Sequence, residues 1–142
     1  MSDVLYSIDA LSTGDARNGH VRTSDGALDL DLAAPSSMGG SGNGFNPEQL
    51  FAAGYAACFH GALKAVAREK KSSVEDSSVE SKVDFLKDAS DGGFRLAVTL
   101  TVRIPGMEEE AAQELADAAH AMCPYSKATR GNIDVTVTVA GA

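Results

Sequence analysis

A chain of 142 residues with 44% hydrophobic content is long enough for one ordinary domain or for one half of an intimate dimer, and it is neither disordered nor fibrous in composition. Twenty acidic against twelve basic residues give a net charge of −8, and the longest basic stretch is only Arg68-Glu69-Lys70-Lys71, so a nucleic-acid or anionic-membrane partner is disfavoured. No run of about 18 apolar residues is present to span a bilayer, and Met1-Ser2-Asp3 opens no secretory signal, which points to the cytoplasm.

In chain order, Val4 to Ala10 is a strand candidate and Gly19 to Ser24 a second. The turn Ser24-Asp25-Gly26 leads into Leu28, Leu30 and Leu32, which alternate with Asp29 and Asp31 as a third. The glycine-rich segment Gly39-Gly40-Ser41-Gly42-Asn43-Gly44 reads as a mobile loop; it lacks the Lys-Ser/Thr of a P-loop, and Phe45 and Pro47 fall where a dinucleotide fingerprint needs its third glycine. Asn46 then caps a helix, with Pro47 at its first position and Gln49 three residues after the cap. From Leu50 to Leu63 the one markedly polar side chain is His60, so this helix should be buried on nearly all sides. It runs out through Lys64 and Arg68 into Lys70-Lys71-Ser72-Ser73, a link between two halves.

The second half begins with a strand from about Val79 to Leu86, crosses Asp91-Gly92-Gly93, and continues in Phe94, Leu96, Val98, Leu100, Val102 and Ile104, six alternating apolar positions. Pro105-Gly106 breaks that strand, and Glu108, Glu109 and Glu110 suit the start of a second helix with an apolar stripe of Met107, Ala111, Leu115, Ala118, Ala119 and Met122. Pro124 ends it, and Ile133, Val135, Val137 and Val139 form a last strand. The order βββα then ββαβ is an α+β pattern with antiparallel sheets and no crossover series. A buried central helix needs covering, which makes a homodimer a reasonable expectation.

Two cysteines stand in distinctive frames: Cys58 mid-helix, closing Asn46-Pro47-Glu48-Gln49-Leu50-Phe51-Ala52-Ala53-Gly54-Tyr55-Ala56-Ala57-Cys58, and Cys123 at a helix end in Cys123-Pro124-Tyr125-Ser126. In a reducing compartment such thiols are reactive, ligating or simply buried rather than a permanent staple. Cys58 on an apolar helix is either a small core residue or a nucleophile; the second needs a cation, since burial alone raises a thiol pKa. Arg17 and Arg130 are the candidates, each equally readable as an exposed turn residue. Glu48, ten residues or about 15 Å before Cys58 on the helix, is out of reach of the sulfur but able to hold an arginine that is not; it is equally a favourable first-turn carboxylate. Cys123 faces the negative end of a helix, which suits a resolving rather than an attacking sulfur, or a buried thiol beside a helix stop. A zinc site from His120, Cys123, Cys58 and His60 lacks a paired-ligand motif, and His20 and His60 have no partner at a recognisable spacing.

In Asn46 to Cys58, and again in Cys123-Pro-Tyr-Ser-Lys-Ala-Thr-Arg-Gly-Asn-Ile-Asp134, the chain closely resembles the organic hydroperoxide resistance proteins, a branch (Ohr) of the osmotically inducible (OsmC) family, over nearly its whole length. The resemblance implies one OsmC/Ohr-like domain over residues 1–142, with antiparallel sheets wrapped around long central helices in an intertwined homodimer whose active sites lie at the subunit interface. It makes Cys58 the peroxide-attacking thiol, Cys123 the resolving thiol and Glu48 the active-site glutamate. The family's arginine falls on Arg17, although Thr13-Gly14-Asp15-Ala16-Arg17-Asn18-Gly19 departs from the family's local pattern. It implies reduction of organic hydroperoxides through a Cys58 sulfenic acid and a Cys58–Cys123 disulfide, recycled by a lipoylated protein or other dithiol, with no bound metal, haem or flavin. Met38, Phe45, Phe51, Tyr55 and Phe59 are candidates to line an alkyl pocket, or are core. The rivals are a dimeric scaffold with inert thiols and a disulfide reductase, which would lack its usual Cys-x-x-Cys.

Overall fold

The computed structural model describes residues 2–141. They contain β1 (Ala10–Thr13), β2 (His20–Thr23), β3 (Asp29–Asp31), α1 (Pro47–Glu69), β4 (Ser78–Lys87), β5 (Phe94–Arg103), α2 (Glu109–Met122), α3 (Pro124–Thr129) and β6 (Val135–Val139). The chain divides into two compact units at Leu50/Phe51, inside α1, and not at the polar link 70–73 that the composition suggests.

In the first unit, β1, β2 and β3 form an antiparallel sheet in that order, with Ala10 opposite Thr23 and His20 opposite Asp31. The first strand begins at Ala10, where the expected one ends, because pairing is set by which residues face β2 across the intervening turn. Val4, Leu5 and Tyr6 are left exposed, Leu5 at 95%. His20, which has no partner at a recognisable sequence spacing, is held on both sides: Nδ1 lies 2.7 Å from Asp31 and Nε2 contacts Asp29. The two carboxylates raise its pKa by hydrogen bonding. The glycine loop is a tight structure in which a Cβ at Gly40 would lie 2.1 Å from the Ala34 carbonyl oxygen, so glycine is required there by contact.

The start of α1 is the capping box its sequence announces: Asn46 N–H donates to Gln49 Oε1 at 2.9 Å, and Gln49 N–H donates to Asn46 Oδ1 at 2.8 Å. By length and mean hydropathy α1 is the one described helix able to cross a bilayer, a property it shares with core helices generally. Burial is one-sided where all-round burial was expected. Tyr55, Phe59, Ala62, Leu63, Val66 and Ala67 are buried, whereas Ala53, Ala57 and Gly61 stand exposed at four-residue intervals.

The second unit packs those α1 residues with Val98, Leu100, Val102 and Ile104 of β5 and its following turn, and with Ala112, Leu115, Ala116 and Ala119 of α2. The buried stripe of α2 thus keeps Leu115 and Ala119, but uses Ala112 and Ala116 in place of Ala111 and Met122, a rotation of about one position. β4 and β5 form the expected hairpin, Ser78 opposite Arg103 and Lys87 opposite Phe94. β6, however, pairs with β5 in parallel, Val98 opposite Val135 and Val102 opposite Val139, so the second sheet is mixed. The α2–α3 connection carries the chain back to the start of β5, the geometry of a single crossover. The α+β class holds; the all-antiparallel expectation does not.

Candidate active site

Arg17 sits on a short 3₁₀ turn, Ala16–Asn18, between β1 and β2. Two features shape that turn: Ala16 adopts φ +49°, in the left-handed region, and a Cβ at Gly19 would lie 2.2 Å from the Thr13 carbonyl oxygen. Asn18 ties it down by accepting the Ala34 N–H at 3.1 Å. From this turn Arg17 Nη1 and Nη2 donate to Oε2 and Oε1 of Glu48 at 3.2 and 3.0 Å, a two-pronged pairing whose side chains are 49% and 17% exposed. Glu48 occupies the first turn of α1, where the helix dipole favours a carboxylate. Ala16, Val21, Leu32, Pro47 and Leu50 line an open, mostly apolar hollow beside Arg17.

In the second unit, 65 residues of sequence close into one contact: Cys123 Sγ lies 3.5 Å from Cys58 Sγ, both thiols free. Bond formation at about 2.05 Å needs an approach of only about 1.5 Å. Cys58 is partly exposed and Cys123 fully buried. Burial pushes the Cys58 thiol above its ordinary pKa, and the backbone N–H of Tyr125, hydrogen-bonded to the sulfur, pulls it down. That amide belongs to the first turn of α3: Pro124 ends α2, as expected, but it also opens α3 as a first-position proline. Cys123 therefore sits at a junction, following the end of one helix and preceding the start of the next, rather than at a helix C-terminus alone.

Around this junction runs a chain of hydrogen bonds that the sequence did not reveal. His120 Nδ1 lies 2.7 Å from Ser126 Oγ, which lies 2.8 Å from the Tyr55 hydroxyl, itself 3.2 Å from Thr129 Oγ1. Tyr55 and Ser126 have no solvent exposure. Their positions, 71 residues apart, share no motif; the signal available was Ser126 inside the Cys-Pro-Tyr-Ser frame. Arg130, the alternative thiolate partner, donates through Nη2 to the His120 carbonyl at 2.7 Å and so caps the last turn of α2. His60 pairs with Ser77 at 3.0 Å, and among the described residues no three His, Cys, Asp or Glu side chains converge to hold a metal ion. Of the expected alkyl-pocket residues, Tyr55 and Phe59 are core. The rings of Phe51, Tyr55 and Tyr125 pack at 5.7 to 6.3 Å, and a Cβ at Gly54 would meet the Tyr125 hydroxyl at 2.8 Å, which is why the ring lies against a glycine.

Residues 40–138 match the family described as OsmC-like protein. The chain is 55% identical over 119 residues to the organic hydroperoxide resistance protein OhrB of Bacillus subtilis, covering 84% of this chain and 87% of that one. It is 51% identical over 139 residues to the organic hydroperoxide resistance protein of Xanthomonas axonopodis pv. citri, covering 96% of each. Its fold superposes on the crystal structure of an organic hydroperoxide resistance protein OsmC from Legionella pneumophila with a TM-score of 0.91, at 48% identity over 97% of this chain and 99% of that one.

Proposed function

This chain belongs to the family of OsmC-like proteins, and on that premise we propose that it is a thiol-dependent peroxidase that reduces organic hydroperoxides to alcohols. The observation that carries the proposal is the Cys58–Cys123 contact: a partly exposed sulfur 3.5 Å from a fully buried one, 65 residues apart in sequence. A peroxide reaches the exposed member, and the buried member is protected until its partner is oxidised.

The Cys58 thiolate gives an electron pair to the distal peroxide oxygen. The O–O bond breaks, an S–O bond forms, and the alkoxide leaves and takes up a proton as the alcohol. Cys123 sulfur then attacks Cys58 sulfur; the S–S bond forms as the S–O bond breaks, and hydroxide departs with the thiol proton as water. A dithiol, a lipoylated protein by preference, reduces the disulfide by exchange. Arg17 is assigned to stabilise the Cys58 thiolate and Glu48 to hold Arg17, a division supported by the two-pronged Arg17–Glu48 pairing. The apolar hollow beside Arg17 suits an alkyl chain better than hydrogen peroxide.

The protein is assigned as a cytoplasmic homodimer of a single domain type over residues 1–142. The exposed apolar side chains of Val4, Leu5 and Tyr6, and the exposed Ala53, Ala57 and Gly61 of α1, support the dimer as surfaces a second copy would cover. Steady-state turnover of cumene hydroperoxide and of hydrogen peroxide, each with dihydrolipoamide as reductant, tests the assignment. Faster turnover of the organic peroxide supports it; no turnover of either overturns it.

A further inference from the structure

The hydroxyl chain beside Cys123 has one polarity that satisfies every contact in it at once. Thr129 Oγ1 donates to the Ser126 carbonyl oxygen at 3.2 Å, and a carbonyl only accepts, so the one hydroxyl proton of Thr129 is committed. Tyr55 must therefore donate to Thr129. With the Tyr55 proton committed, Ser126 must donate to Tyr55, and with the Ser126 proton committed, His120 must donate through Nδ1–H to Ser126. The ring is thereby assigned to the tautomer with a proton on Nδ1 and, when neutral, a bare Nε2. Three elements are tied together: Tyr55 from α1, one turn before Cys58; His120 from the last turn of α2, three residues before Cys123; and Ser126 from the first turn of α3, three residues after it.

Cys123 is thus the joint between two helices that are each pinned, through one buried serine, to the helix that carries Cys58. We infer that Tyr55, Ser126 and the Nδ1–H tautomer of His120 are positioning residues for the resolving step, holding Cys123 within closing distance of Cys58. The inference rests on the peroxidase proposal above for its biological sense, while the geometry it concerns is that of the two thiols. Because Nδ1 carries a proton in both the neutral and the charged ring, the lock does not open when His120 titrates. Arg130 at its carbonyl, Asp117 on the preceding turn and the ring of Phe59 are the groups that face it.

The test compares two rates in the reduced, full-length protein: consumption of the first equivalent of cumene hydroperoxide, and closure of the disulfide, with sulfinic acid at Cys58 read by mass spectrometry. Misplacement of a reacting group by about 1 Å costs up to about a hundredfold, so Ser126→Ala should lower the ratio of closure to consumption by roughly tenfold and raise over-oxidation at Cys58. Tyr55→Phe, which keeps the ring and removes only the hydroxyl, should lower it in the same direction and guards against misfolding of the serine variant.

His120→Asn places an amide N–H where Nδ1–H stands and should keep the wild-type ratio; His120→Gln, which mimics Nε2 instead, should not. A merely structural role would lower the melting point of all four variants without this split. Closure by diamide, which takes two electrons from the thiol pair without any peroxide, reads the same positioning independently: it should slow in Ser126→Ala and Tyr55→Phe. Wild-type protein that closes with diamide but consumes no hydroperoxide would refute the peroxidase proposal alone. Unchanged closure rates in both hydroxyl variants, or equal behaviour of the asparagine and glutamine variants, would overturn the inference.

Discussion

Replacing Arg17 by Ala separates what the Arg17–Glu48 pair does for the fold from what it does for the sulfur. The arginine is half exposed and the glutamate only partly buried, so solvent screens the pair, and its contribution to stability is expected at about 0.2–1 kcal/mol. A double-mutant cycle of Arg17→Ala and Glu48→Ala in urea should give a coupling within that range. The effect on chemistry is expected to be larger. Burial opposes ionisation of Cys58, and one peptide N–H, from Tyr125, works against it. Loss of a cation that favours the thiolate by one pKa unit is worth about 1.4 kcal/mol, or about tenfold in rate at neutral pH. The pH dependence of Cys58 alkylation, measured in a Cys123→Ser background, should therefore move upward in Arg17→Ala by at least about one unit, with peroxide reduction slowed at least about tenfold. Glu48→Ala should move it less, as the proposed role of the carboxylate, holding the arginine, requires. An unchanged thiol pKa in Arg17→Ala would refute the reasoning and shift the role to another cation, Arg130 first, whose guanidinium is bonded to the His120 carbonyl.

Other substitutions and conditions have equally definite outcomes. Cys58→Ser should abolish hydroperoxide turnover with a dithiol reductant; retained turnover would remove Cys58 from the chemistry. Cys123→Ser should consume about one equivalent and then accumulate sulfinic or sulfonic acid at Cys58, by mass spectrometry, because a sulfenic acid without a partner climbs the oxidation ladder; a Cys58 that remains a thiol in excess hydroperoxide would overturn the assignment. Burial lowers the pKa of His120, so the unfolded state binds more protons below about pH 6.5 and stability falls as pH drops through that value. His120→Asn, which keeps the hydrogen bond and loses the titration, should flatten part of that acid-side fall in urea midpoints; an unaltered profile would contradict it. The proposed homodimer predicts a thermal midpoint that rises with protein concentration, and a native monomer by light scattering at micromolar concentration would count against it.

Local features were legible in the sequence wherever the chemistry is local. Asn46, Pro47 and Gln49 announce the start of α1 because a capping box needs those side chains at that spacing, and six alternating apolar residues announce β5 because the period is two. The Val4–Ala10 strand failed for the opposite reason: apolar residues show that a segment wants a partner without saying which segment it pairs with, and β1 is set by its register against His20–Thr23. Likewise, one proline residue served both as the stop of α2 and as the start of α3, and the crossover through α2 and α3 brings the final strand back parallel to β5. Cys58, Cys123, Arg17 and Glu48 were legible from their frames, and the structure brings the cysteines together and, separately, the arginine and glutamate. Tyr55, Ser126, Thr129 and His120 were not, since each looks ordinary in its own helix and the network exists only once α1 and α3 meet.

The central claim, that Cys58 and Cys123 are a working peroxidatic pair, is tested most directly by counting free thiols after adding an alkyl hydroperoxide to the reduced protein and identifying the linked peptides by mass spectrometry. Loss of two thiols per chain, with one Cys58–Cys123 disulfide and one equivalent of alcohol released, is the predicted result. Two thiols per chain remaining after exposure to excess hydroperoxide would contradict it and leave the pair as inert core residues.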